Sequence, residues 1–245
     1  MSKGDIMIQQ IFTVPIYEVD LEDIDNEAIY NFLKSEEQKH IGEEGSDEYN
    51  NYYKKELSIL NKKEGGYHQE IFNKNLAQEN NFSQQLFARE KGQFVLKNDN
   101  NETLNQTLKM FGNEIEKHCS IFAGSFINKE RQEIDNMWFN INKYKDSIKR
   151  HSHPMAMISG VYYVKAPENC GSITFIHPAT DVLSYYNTPI RHSEWNQYNA
   201  ETWWKPAVEK RLYLFPSWLN HYVDPNLNQK ERISISFNTI EAGLN

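Results

Sequence analysis

The apolar positions of this chain change period near residue 130. Before that point the clearest pattern is helical. Leu104, Leu108, Phe111, Ile115, Cys119 and Phe122 recur at spacings of three or four, one stripe of a helix with a buried face over residues 103–120. Asn101 is its candidate cap, and His118, beside the stripe, reads as structural. Beyond residue 130 the period drops to two. Met137, Phe139 and Ile141 alternate with Trp138, Asn140, Asn142 and Tyr144. Near the C-terminus Ile233, Ile235 and Phe237 alternate with Arg232, Ser234, Ser236 and Asn238. Each pattern is a strand with one oily and one polar face. An arginine on so hydrophobic a strand is expected to look into a wet pocket.

The same reading places further elements. Residues 11–19 predict an edge strand, because Pro15 lacks the amide donor that a central strand needs. Residues 25–32 predict a short helix capped by Asp25, residues 36–54 a charged loop or loose helix, and residues 82–94 a mixed helix. The segment 65–72 opens on a Gly-Gly turn, and His68 within it reads as a surface or hydrogen-bonding residue. Strands are expected at 156–165, 171–176, 212–215 and 231–239. Residues 178–205 show no regular period but carry Tyr185, Tyr186, Trp195, Trp203 and Trp204. A long segment so rich in aromatics suits a cover over a pocket. Many short strands without interleaved helices predict a mainly β fold with flanking helices, built on a closed or sandwiched antiparallel sheet.

Composition narrows the function classes. A chain of 245 residues holds one large domain or two small ones. The net charge of −8 and the absence of a basic patch make nucleic acid a poor partner. Cys119 and Cys170 sit in no CxxC pair and read as reduced thiols of a cytoplasmic protein. No stretch is apolar for long enough to predict a membrane span or a secretory leader.

The candidate chemistry centres on His151-Ser152-His153. Residues i and i+2 of a strand point the same way, so this triplet sets two imidazoles side by side. Imidazole is the commonest protein ligand for iron, copper and zinc. Two ligands do not make a site; His221, in LFPSWLNHYV, is the candidate third.

Taken together, HSHPMAMISGVYYV, LYLFPSWLNHYV and ERISISFN resemble the iron(II)/2-oxoglutarate dioxygenases of phage and marine bacterial type, in the prolyl-hydroxylase-like branch. The resemblance covers residues 131–240 and implies a double-stranded β-helix, or jelly roll. Residues 131–245 would be the catalytic core, and residues 1–130 a strand and helices packed on it within one structural domain. It further implies Fe(II), 2-oxoglutarate as co-substrate and O2, with hydroxylation of a small molecule or a protein side chain and release of succinate and CO2. By motif, His151 and His221 fall on metal-ligand positions. Arg232 falls on the anchor for the far carboxylate of 2-oxoglutarate, with Ser234 beside it. Asn140, Tyr144 and Tyr162 are further candidates for holding that co-substrate, and Asn142 and Tyr163 are also within reach of the site.

One position departs from the family pattern. The usual carboxylate ligand is replaced by His153, so either the three histidines form the site or an acid from elsewhere, such as Asp146, completes it. Two alternatives follow: a three-His mononuclear iron dioxygenase that does not use 2-oxoglutarate, and a non-catalytic jelly-roll binding module. No membrane partner is expected, and both a monomer and a homodimer stay open.

Overall fold

The structure, a computed structural model, describes residues 13–48, 50, 82–90, 93–96, 102–126, 131–187 and 194–242. Its frame is two antiparallel sheets. The larger comprises β1 (Tyr17–Asp20), β9 (Arg211–Pro216), β6 (Ile158–Lys165), β11 (Arg232–Glu241), β4 (Gln132–Asn142), β2 (Phe82–Glu90) and β3 (Gln93–Leu96), in that spatial order. The smaller comprises β5 (Ile148–His151), β10 (His221–Val223), β7 (Ser172–Ile176) and β8 (Thr202–Pro206), also in spatial order. This is a mixed β-sheet and α-helix fold of two antiparallel sheets.

The alternation read from β4 and β11 sets the two faces of the larger sheet. Met137, Phe139, Ile141, Ile233, Ile235 and Phe237 are all fully buried on one side. That side is covered by α1 (Asn26–Ile41) and α2 (Glu102–Phe126). From α2, Leu108, Phe111, Ile115, Cys119 and Phe122 enter this core. Each fully buried side chain of this size stabilises the fold by roughly 1.5–3 kcal/mol relative to exposure. The other face of the larger sheet meets the smaller one through Val161, Tyr163, Ile173, Phe175, Tyr213, Phe215 and Leu219. The gap these side chains leave is the candidate site.

Local signals explain the ends of α1. Asp25 caps it by accepting the amide of Ala28 at 3.0 Å. It stops at Gly42, whose φ of 89° is easy only for glycine and whose amide returns to the Gln38 carbonyl. The helix therefore runs on to Ile41, into the start of the segment expected to be a charged loop or loose helix.

Two expectations are corrected. Residues 82–94 are not a helix: β2 and β3 form a hairpin, and β2 pairs along β4 from Phe82 opposite Ile141 to Ala88 opposite Asn136. The available edge of β4 overrides a weak local preference. Residues 178–205 are not without regular structure: they hold α3 (Thr180–Asn187) and β8. Asn101 and the 65–72 segment with His68 lie outside the described residues. His118 Nε2–H donates to Glu114 at 3.2 Å and its Nδ1 accepts from the Tyr17 hydroxyl at 2.8 Å, tying α2 to β1. Both cysteines are buried free thiols. Among the described residues no helix is long and apolar enough to cross a membrane.

Candidate metal centre

The site forms where β5 meets β10. His221 opens β10 directly opposite His151, the last residue of β5. His153 lies just past the end of β5, where its amide donates to the carbonyl of Ser217 at 2.9 Å. The three rings close on one another with centroids 4.3 Å apart for His151 and His221, 4.9 Å for His151 and His153, and 5.2 Å for His153 and His221. One ligand nitrogen from each lies within 4.8 Å of the others.

Backbone carbonyls set the tautomers. His151 Nδ1 is 2.7 Å from the Lys149 oxygen, and His221 Nδ1 is 2.9 Å from the Leu219 oxygen. A carbonyl only accepts, so both Nδ1 atoms carry the proton and both Nε2 atoms present a lone pair. Burial holds all three rings neutral. It lowers His151; burial, then the neighbouring His151, pushes His153 down to about 4; and burial, then the other two rings, pushes His221 down to about 3. Three neutral imidazoles with clustered ring nitrogens fit a borderline metal ion such as iron, and no proton need be lost for it to bind.

A cavity of about 490 Å³ opens from the triad between the sheets. The pairing of β4 with β11 arranges its floor in rungs: Trp138 opposite Ser236, Asn140 opposite Ser234, and Asn142 opposite Arg232. Trp138 packs its indole against His153, with centroids 5.8 Å apart. Arg232 stands at the far end and is 1% exposed. Its Nη1 donates to the carbonyls of Cys170 and Asp224, whereas the buried Nη2 has no hydrogen-bond partner among the described residues. Burial lowers its pKa from the usual guanidinium value, and arginine nonetheless stays charged. Gly171, at φ +88°, makes room for it: a Cβ there would lie 2.8 Å from Arg232 Nη1 and 2.4 Å from the Asp224 oxygen.

The structure thus brings His151, His153, His221, Arg232, Ser234 and Asn140 into one cavity, with Asn142 and Tyr163. Two candidates fall elsewhere. Tyr162 points into the helix-covered core and donates to Asn26 Oδ1 at 3.0 Å. Tyr144 follows the end of β4, is 41% exposed and stacks under Lys145. Asp146 also stays away from the triad; its carboxylate accepts the Lys143 amide at 2.7 Å and so shapes the turn between β4 and β5. The aromatic segment 178–205 contributes no described residue to this cavity and lines a second one. Trp138 was not singled out by sequence. The signal for it was its place on the polar face of β4, one rung from Asn140.

Residues 136–238 match the family model described as "Putative 2OG-Fe(II) oxygenase". That segment spans every element of the cavity. The likeness to that family lies in this segment. No curated protein matches the chain. Among solved structures, a prolyl-4-hydroxylase from Pseudomonas putida is similar at 12% identity, over 94% of this chain and 95% of that one, with a TM-score of 0.48. A 2OG-Fe(II) oxygenase family oxidoreductase from Burkholderia pseudomallei is similar at 13% identity and a TM-score of 0.46. The match covers 65% of this chain and spans 65% of the Burkholderia protein's length. At these scores neither likeness carries an argument about activity. The matched segment contains the three histidines, a cluster that can hold a metal ion.

Proposed function

We propose that this protein is a mononuclear non-haem iron dioxygenase whose metal is held by His151, His153 and His221 and which oxidises its substrate without 2-oxoglutarate. The observation that carries this reading is the all-histidine cluster, with no carboxylate among its members. The superfamily pattern with one acid ligand gives the metal a compensating negative charge; three neutral imidazoles do not. The uncompensated charge favours a substrate that brings its own anionic donor to the metal. Bound iron would supply oxygen activation and one-electron chemistry. The chain does the rest. Trp138 and the apolar walls at Val161 and Phe215 exclude water, Lys149 and Leu219 fix the ring orientations, and Arg232 Nη2 takes an anionic group of the substrate.

A second reading keeps 2-oxoglutarate as co-substrate, hydroxylation as the reaction, and succinate and CO2 as products. Arg232 supports it, because a buried guanidinium nitrogen without a protein partner suits a carboxylate, and Ser234 lies one rung from it. A third, the non-catalytic binding module, would leave the histidines without metal. One experiment separates them: the protein loaded anaerobically with Fe(II) is titrated with 2-oxoglutarate by calorimetry, then exposed to O2 while succinate is assayed. Iron binding without 2-oxoglutarate binding or succinate supports the first reading. Saturable 2-oxoglutarate binding with succinate release replaces it with the second. Absence of iron binding replaces both with the third.

A further inference from the structure

A second cavity, of about 550 Å³, lies on the far side of Phe175 from the triad. Phe175 and Leu219 line it, and the Phe175 ring is 6.4 Å from His221. The cavity is separate from the metal site and shares none of its lining residues. Its size is that of a small-molecule pocket, and its walls have the usual mixture of apolar surface with a few polar groups.

Three features define what would fit. First, the walls are aromatic and aliphatic. Trp203 and Tyr198 border the cavity yet remain 46% and 62% exposed, so a ring laid against them removes apolar surface from water. Second, among the described residues that line the cavity the charge is paired. Its lysine, Lys205, is held at 2.7 Å by Glu18. Third, His177 has a defined tautomer. Its Nδ1 accepts the Ala179 amide at 3.0 Å, so the neutral ring offers Nε2–H as a donor. Aromatic walls, paired charge and the fixed donor of His177 suit a neutral ring with an oxygen acceptor.

We propose that this second cavity binds a neutral aromatic small molecule bearing a carbonyl or ether oxygen, at a site distinct from the metal centre. The inference does not rest on iron chemistry. The ring lies against Trp203 and Phe175, neighbours on β8 and β7, and its oxygen accepts from His177 Nε2–H.

The test is a fluorine NMR titration of the full chain with 4-fluoroacetophenone. Saturable broadening or shift of the probe is expected. Ala200→Trp, which fills the cavity from its rim, and His177→Phe, which keeps a ring but removes the donor, should each weaken binding by about tenfold or more. Trp204→Ala, on the opposite face of β8 and outside the cavity, should leave it unchanged. Zn(II) added to fill the histidine cluster should not displace the probe. A non-saturable response in the parent protein, parental affinity in His177→Phe, or displacement by Zn(II) would each overturn the assignment. His177→Phe carries the test alone if Ala200→Trp does not fold.

Discussion

His151 and His221 face each other across a single pairing of β5 with β10, and each ring is fastened by its Nδ1 to the carbonyl two residues before it. Two short strands thereby deliver two lone pairs in register, and the third histidine enters from the chain that leaves β5.

His153→Ala should lower Fe(II) affinity by about a hundredfold, ~2.7 kcal/mol, because it removes one ligand of three. His153→Asp should retain iron, since a carboxylate can reach the same volume. Anaerobic calorimetry with Fe(II) checks both, and an alanine variant that binds iron like the parent would remove His153 from the ligand set.

The metal-free protein should lose stability as pH falls below neutrality. His221 and His153 are held neutral in the fold, at about 3 and about 4, against 6.5 for the unfolded chain. Below pH 6.5 the unfolded state therefore binds more protons. The contribution is complete above that pH and is lost as pH drops towards the folded values. His221 alone gives a slope approaching ~1.4 kcal/mol per pH unit within the window. Urea midpoints at pH 7.5, 6 and 5 measure it. Over the upper part of the same range iron affinity should change little, because no ligand must first lose a proton.

Gly171→Ala should destabilise the fold by ~2 kcal/mol or more, as it combines an unfavourable φ with a clash against the Asp224 carbonyl. It should also displace the Arg232 guanidinium. Urea denaturation reads the first effect, and weakened binding of a carboxylate ligand reads the second.

Glu37→Ala should cost ~3–5 kcal/mol. The Glu37 side chain is 1% exposed and pairs with Lys34 and, at 3.5 Å, with Lys143, while Glu231 bridges the same two lysines. Removing one member leaves buried charge behind. Thermal unfolding checks the loss, and a midpoint within a degree of the parent would show the network to be solvated.

Much of this was legible in the chain, and the failures have physical causes. The rungs of β4 and β11 followed from period-two alternation because one face meets an oily core and the other a wet cavity. β6 is buried on both faces, so no alternation tells which of Tyr162 and Tyr163 looks into the cavity. Tyr144 lies two residues past Asn142, where the strand and its alternation end. In β2 the offset between Gln85 and Phe87 breaks the period and leaves Phe82, Leu86 and Phe87 at helical spacing. The aromatics of 178–205 suggested a cover, but the exposed β8 places Trp203 and Trp204 at the rim of the smaller sheet, away from the histidines.

The link between β9 and β10 acts as a ruler. Within it the Ser217 carbonyl holds the backbone of His153, and two residues later the Leu219 carbonyl holds the ring of His221. Its sequence can drift, since Trp218 between them is 56% exposed, but its length cannot. One residue inserted between Ser217 and Leu219 would put the two fastenings out of phase and scatter the ligands while leaving every histidine in place. Loop grafting or directed evolution on this scaffold should therefore vary side chains here and spend its insertions elsewhere.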